Sequence, residues 1–207
     1  MRRAPAKLLL GLACGLTVVI WLVIASADVS LGAKMANNRT RDGDSLIVNL
    51  ADSAEAERWI VVDDVVMGGR SASEIRFRDG PAVFTGTLSL ENNGGFASTR
   101  TLPRDFGLEG YTGIRLRVLG DGKRYRFRIR TDGRYDGIAY QLGFVTTQGE
   151  WSVIDLPFDQ FVASFRGRSL PDAGPLNPAA IQQIGFLVAD KQVGRFTLEI
   201  DWIKAYR

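Results

Sequence analysis

Between Gly113 and Arg130 the chain reads GIRLRVLGDGKRYRFRIR, two runs in which apolar and charged residues alternate. A period of two cannot serve a helix, whose buried stripe repeats every three to four residues, but it lines one face of a strand. Ile114, Leu116 and Val118 therefore share a face, and Tyr125, Phe127 and Ile129 share a face of the next strand. Asp121-Gly122 lies between them, and glycine takes positive φ without steric cost, so the two runs are expected to pair as a hairpin. A strand buried on one face and wet on the other belongs in an antiparallel sheet.

The remainder of the chain repeats this grammar. RFTLEIDWIKAY, near the C-terminus, places Phe196, Leu198, Ile200 and Trp202 inward, with Glu199 and Asp201 outward. Short runs bounded by Gly, Asp and Asn predict further strands at 59–66, 74–77, 82–90, 95–101, 138–146, 150–155 and 184–189. The clear helical signal is LNPAAIQQ, where Asn177 can cap a single turn that starts at Pro178. Many short strands with almost no helix imply an all-β fold, and an antiparallel jelly-roll β-sandwich is the expected architecture.

The N-terminus is a separate matter. Arg2, Arg3 and Lys7 precede an uncharged run from Leu8 to Ile24, and Ala25-Ser26-Ala27 offers a small-residue cleavage site. Residues 1–27 read either as a signal peptide or as a signal anchor, and the polar stretch 28–45 reads as a flexible linker to a single β-sandwich domain at 46–207. By the positive-inside bias the basic end stays cytoplasmic. The folded domain is then expected on the outer, periplasmic side of a cytoplasmic membrane, with membrane association through the N-terminal segment if it is not cleaved.

Charge and residue types narrow the chemistry. Of 26 Lys and Arg three lie in the leader, which leaves 23 against 23 acidic residues and no net charge. Nucleic-acid binding, which needs a basic footprint, is not supported. The chain has no histidine, and its single cysteine, Cys14, lies in the leader. Nucleophilic systems that use histidine and zinc sites of the Cys/His type are excluded, and no cofactor or metal is indicated.

Four features invite a functional reading. The alternating arginines of 113–130 could form an anion-binding face, or could be offset by acidic residues on a neighbouring strand, for which Glu199 and Asp201 are the candidates. Zero net charge favours the second. Asp63-Asp64 could ligate calcium or act as an acid–base pair, but neighbours on a strand point to opposite faces, which favours a strand end entering a turn. Gly68-Gly69 and Gly94-Gly95 read as turn chemistry, the second after Asn92-Asn93. Trp59, Trp151 and Trp202 could stack on a sugar, or belong to the core.

Taken together, five blocks carry a resemblance. DDVVMGGRS, F.G.LSLENNGGFAS (Phe84–Ser98), W..IDLPFDQF (Trp151–Phe161), FRGR (Phe165–Arg168) and ADKQVGRFTLEIDWIKAY (Ala189–Tyr206) follow in this order from Leu46 to Arg207. The region resembles the complex I intermediate-associated protein 30 family. That resemblance implies a galactose-binding-like β-sandwich and a non-enzymatic assembly factor with a chaperone-like role, partnered by membrane-arm intermediates of respiratory complex I. Asp63, Asp64, Met67, Arg70, Asn92, Asn93, Arg166, Arg168, Lys191 and Gln192 match family-motif positions and are the candidate binding residues; none is a catalytic residue. The alternative expectation is an exported carbohydrate-binding module, and a carboxylate-based hydrolase is the third.

Overall fold

The alternating runs do form strands, because each presents one apolar face that can be buried against a second layer. The computed structural model describes residues 43–77 and 80–207. The expected leader at 1–27 and nearly all of the expected linker at 28–45 lie outside the described residues. Among the described residues the strands are β1 (Ser45–Asn49), β2 (Trp59–Val61), β3 (Ala72–Arg76), β4 (Ala82–Leu88), β5 (Ala97–Thr101), β6 (Gly113–Leu119), β7 (Arg124–Arg130), β8 (Ala139–Val145), β9 (Trp151–Pro157), β10 (Val162–Phe165), β11 (Arg168–Ser169), β12 (Gln183–Val188) and β13 (Gly194–Tyr206).

They pair antiparallel into two sheets. One has the order β3-β4-β13-β6-β9, with β1 also paired to β13, and the other the order β11-β10-β8-β7-β12-β5-β2. The two inner faces meet in one core. Phe84 and Phe196 of the first sheet approach to 5.0 Å between ring centroids, and Phe127 meets Phe186 of the second edge-on at 5.3 Å. The expected antiparallel sandwich is the observed architecture. The turn at Pro178–Ala180 is also where expected, capped by Asn177, whose side chain accepts from the Ala179 amide at 3.1 Å.

One expected pairing is wrong. β6 and β7 do not form a hairpin but lie in different sheets. Alternation fixes which face a strand buries and says nothing about its neighbour, so Ile114, Leu116 and Val118 reach the core from one layer, and Tyr125, Phe127 and Ile129 from the other. Asp121 holds the connection in this path. Its carboxylate accepts from the Lys123 amide at 3.1 Å, the Tyr125 hydroxyl at 3.0 Å and the Thr197 amide of β13 at 3.0 Å.

A second correction concerns Trp202. The register of β13 against β6 shifts between Ile200 and Trp202, a bulge. One extra residue reverses the alternation, so the buried series runs Phe196, Leu198, Ile200 and then Ile203 and Ala205. Trp202 is turned to the outer face, where the Lys204 ammonium lies 4.5 Å from its ring centroid.

The outer face of the first sheet carries a buried ion cluster. The Arg115 guanidinium donates to Asp155 at 2.6 and 3.0 Å and to Asp44 at 2.7 and 2.9 Å. The side chains of Arg115 and Asp44 are 10% and 6% exposed. Removing the cation would leave a buried carboxylate uncompensated, so Arg115→Met is expected to cost about 3 kcal/mol in chemical denaturation.

Candidate functional site

Asp64 organises the region between β2 and β5. The strand expected over 59–66 stops at Val61, and Asp64–Met67 forms a single 3-10 turn instead. The cause is the Asp64 side chain, which is fully buried. A buried carboxylate is tolerated only where donors converge on it. Here Oδ1 accepts from the Ser71 amide at 2.8 Å, and Oδ2 accepts from the Ser71 hydroxyl at 2.5 Å, the Gly95 amide at 2.6 Å and the Phe96 amide at 3.2 Å. Burial by itself raises the pKa of this carboxyl, but the Ser71 hydroxyl and the three amides outweigh it and hold the group below the ordinary range.

The two glycine pairs serve this carboxylate, which is more than the simple turn chemistry expected of them. Gly68 and Gly95 have φ of +89° and +133°, and there the turn reading is right. Gly69 and Gly94 have another reason to lack a side chain. A Cβ on Gly69 would sit 2.3 Å from Asp64 Oδ1, and a Cβ on Gly94 would sit 2.6 Å from Oδ2. Each pair thus combines one glycine that turns the chain with one that makes room for the buried carboxylate.

Around this centre the other residues brace two loops. Asp63 faces away from Asp64's donors and accepts from the Ser73 hydroxyl at 2.7 Å and the Ser98 amide at 3.2 Å. Burial raises its pKa, opposed by the Ser73 and Ser98 hydrogen bonds. The two carboxylates therefore do not converge on a common point. Asn92 and Asn93 take left-handed φ of 55° and 59°, and the Asn92 amide donates to the Gly68 carbonyl at 3.1 Å. Arg70 pairs with Glu91 at 3.1 Å across the same seam.

What this base supports is apolar. Val65, Val66 and Met67 are 61%, 61% and 63% exposed, three consecutive side chains at the tip of the turn, and Leu90 on the facing loop is also exposed. Sequence reasoning singled out Met67 but assigned the valines to a strand, because an apolar run carries no sign that a buried aspartate just before it will turn it outward.

Most of the chain, this region included, is similar to known proteins. The family described as Complex I intermediate-associated protein 30 (CIA30) matches residues 48–200. The chain belongs to this family. The mitochondrial complex I intermediate-associated protein 30 of Mus musculus is 31% identical over 176 residues, covering 75% of this chain and 54% of that protein. Its Drosophila melanogaster counterpart is 27% identical, covering 71% and 57%. The chain thus spans little more than half the length of these two relatives. A solved family 11 carbohydrate-binding module from Clostridium thermocellum, in complex with a mixed-linked tetrasaccharide, superposes with a TM-score of 0.62 at 18% identity, covering 81% of this chain and 97% of the module. That likeness is one of fold.

These CIA30 relatives overturn one expectation. The domain was expected on the outer side of a cytoplasmic membrane, whereas the Mus musculus, Drosophila melanogaster and Neurospora crassa proteins are named mitochondrial. The physical reason is that a basic end before an apolar run orients a segment in whichever membrane it meets and does not name that membrane. Among the described residues, no helix is long and apolar enough to cross a membrane.

The remaining candidate positions divide between the two ends of the sandwich. Lys191 and Gln192 lie in the turn from β12 to β13, at the same end as the glycine loops, since Val188 pairs with Ala97 and Gly194 with Leu88. Gln192 fastens that turn to the start of β7, accepting from the Arg124 amide and donating to the Arg124 carbonyl, both at 2.8 Å. Lys191 takes a left-handed φ of 58° and is exposed. Arg166 and Arg168 flank the β10–β11 turn at the opposite end, where Arg166 pairs with Asp136 at 2.5 Å. The three tryptophans do not form a platform. Trp59 is core, stacked on Phe186, while Trp151 and Trp202 each have a cation over the ring, Arg117 at 4.3 Å and Lys204 at 4.5 Å.

Proposed function

We propose that this chain is a non-enzymatic, chaperone-like assembly factor that binds membrane-arm intermediates of respiratory complex I through the Val65–Met67 tip. The observation that supports this reading is the tip itself, three adjacent apolar side chains held in water on a base with a fully hydrogen-bonded carboxylate. Exposed apolar residues grouped together mark a surface that meets a partner. A rigid base means that little ordering entropy opposes the contact. Asp63, Asp64, Arg70, Asn92 and Asn93 act here as the frame that sets the tip, and Met67 makes the contact. Names of the relatives in this family supply the partner class, since they are complex I intermediate-associated proteins.

The same geometry argues against the hydrolase reading, because both oxygens of Asp64 are taken by protein donors and Asp63 turns away from them. The carbohydrate reading loses its aromatic platform. Loss of the protein from its own cell is expected to lower assembled complex I on native gels and to accumulate membrane-arm subassemblies. An unchanged complex I level would overturn the proposal.

A further inference from the structure

The arginines of the alternating run end in two different environments, because β6 and β7 lie in different sheets. Those of β6 are neutralised, Arg115 by Asp155 and Asp44 and Arg117 by Asp201. On β7, Arg126 pairs with Asp190. Arg128 is different. Among the described residues its guanidinium has no ion pair, and its Nε is buried without a hydrogen-bond partner. Burial, together with the positive charges of Arg130, Arg100 and Arg126, pulls its pKa down to about 10.

The register shows what surrounds it. Ile60, Arg100, Gly185, Arg128, Gln141 and Val162 form one row across the outer face of the seven-stranded sheet. Gly185 sits between the two arginines, and a Cβ there would lie 2.2 Å from the Thr99 carbonyl oxygen and 2.8 Å from Arg100 Cβ, so the floor between the guanidiniums stays bare. The 131–138 loop closes one side. It gives Arg100 and Arg130 neutral partners, the Tyr135 and Gly137 carbonyls, each at 2.9 Å, and the Tyr135 ring lies 4.8 Å from the Arg100 guanidinium. The Arg100 Nε is likewise buried and unbonded.

A half-buried guanidinium whose Nε is out of water and unbonded is costly in the free protein, and its fork is shaped for a bidentate carboxylate. Exposed Val162 in the same row, and Val145 opposite Arg124 on the same face, offer apolar contact on the β8 and β10 side of Arg128. We propose that Arg100 and Arg128, with Gly185 between them, form a site for a carboxylate side chain of an acidic protein segment lying across this sheet. The choice of a protein as the carboxylate's source rests on the assembly-factor reading above; the site itself rests on two arginines that, among the described residues, have no ion pair and a buried Nε without a hydrogen bond.

The test is calorimetric titration of the full-length chain, kept in detergent, with hexaglutamate and separately with inorganic phosphate. Wild type is expected to bind hexaglutamate in a manner weakened by salt. Arg128→Gln is expected to weaken that binding by at least about tenfold, since a bidentate charged pair is lost. The same variant should melt no lower than wild type, because it loses a half-buried charge that had no ion pair among the described residues, and hexaglutamate should raise the melting temperature of wild type alone. Equal binding by Arg128→Gln, or a variant that melts well below wild type, would overturn the site. Phosphate binding as tight as hexaglutamate would overturn the peptide assignment. Complex I levels after loss of the protein are read separately, so failure here is distinguishable from failure of the assembly-factor reading.

Discussion

Replacing Asp64 by asparagine is expected to cost about 3 kcal/mol of stability, a fall of roughly 10 °C in melting temperature for a chain of this size. Asparagine keeps the volume but exchanges one acceptor for an NH2 group. Four donors converge on the two carboxylate oxygens, so whichever oxygen is replaced, at least one donor faces another donor. The hydrogen bonds that survive also lose their charge, and bonds to a charged acceptor are the stronger kind. The acid limb of the stability curve should change with it. A lowered carboxyl pKa gives stability that is complete above the unfolded value of about 3.9 and is lost as pH falls through the lowered folded value. Asp63, with its raised pKa, acts in the opposite sense and favours the folded state towards acid. Wild type should therefore lose more stability below about pH 4 than Asp64→Asn does. Equilibrium urea unfolding at several pH values measures both effects.

The triple change Val65→Ser, Val66→Ser, Met67→Ser should have the reverse profile. All three side chains are more than half exposed, so the melting temperature is expected within about 2 °C of wild type. Function should be lost, because anchors at the centre of an interface carry most of its binding energy. In a cell lacking the wild-type protein, the variant is expected to accumulate normally yet leave complex I as low as in the deletion. A variant that restored assembly fully would remove the tip from the mechanism. The contrast between the two changes, one structural and silent at the surface, the other superficial and silent in stability, separates the frame from the contact it presents.

Much of this architecture is legible in the residues, with failures that share a cause. Alternation identified the buried faces of β6, β7 and the first half of β13 because periodicity reports burial directly. It could not report which strand lies beside which, and so it joined β6 to β7. That one error also hid the arginine site. Asp201 does neutralise Arg117, as the outward acidic residues of β13 were expected to do, but on the sheet that Arg128 does not belong to. At Trp202 a single bulged residue reversed the phase, and no residue type announces a bulge. The glycine pairs were legible as turns through Asn92-Asn93 and their own freedom. Their second role, making room for Asp64, depends on the side chain of a residue five positions before Gly69 and thirty before Gly94, whose burial the sequence does not announce. The tip was hidden for the same reason, since Val65 and Val66 look like strand until Asp64 is known to be buried.

The most direct test of the central claim is affinity capture of the tagged full-length chain from native membranes solubilised in detergent, read by mass spectrometry beside the triple serine variant. Membrane-arm subunits of complex I should co-purify with wild type and be absent, or nearly so, with the variant. Equal recovery of those subunits by both proteins, or their absence from the wild-type capture, would contradict it.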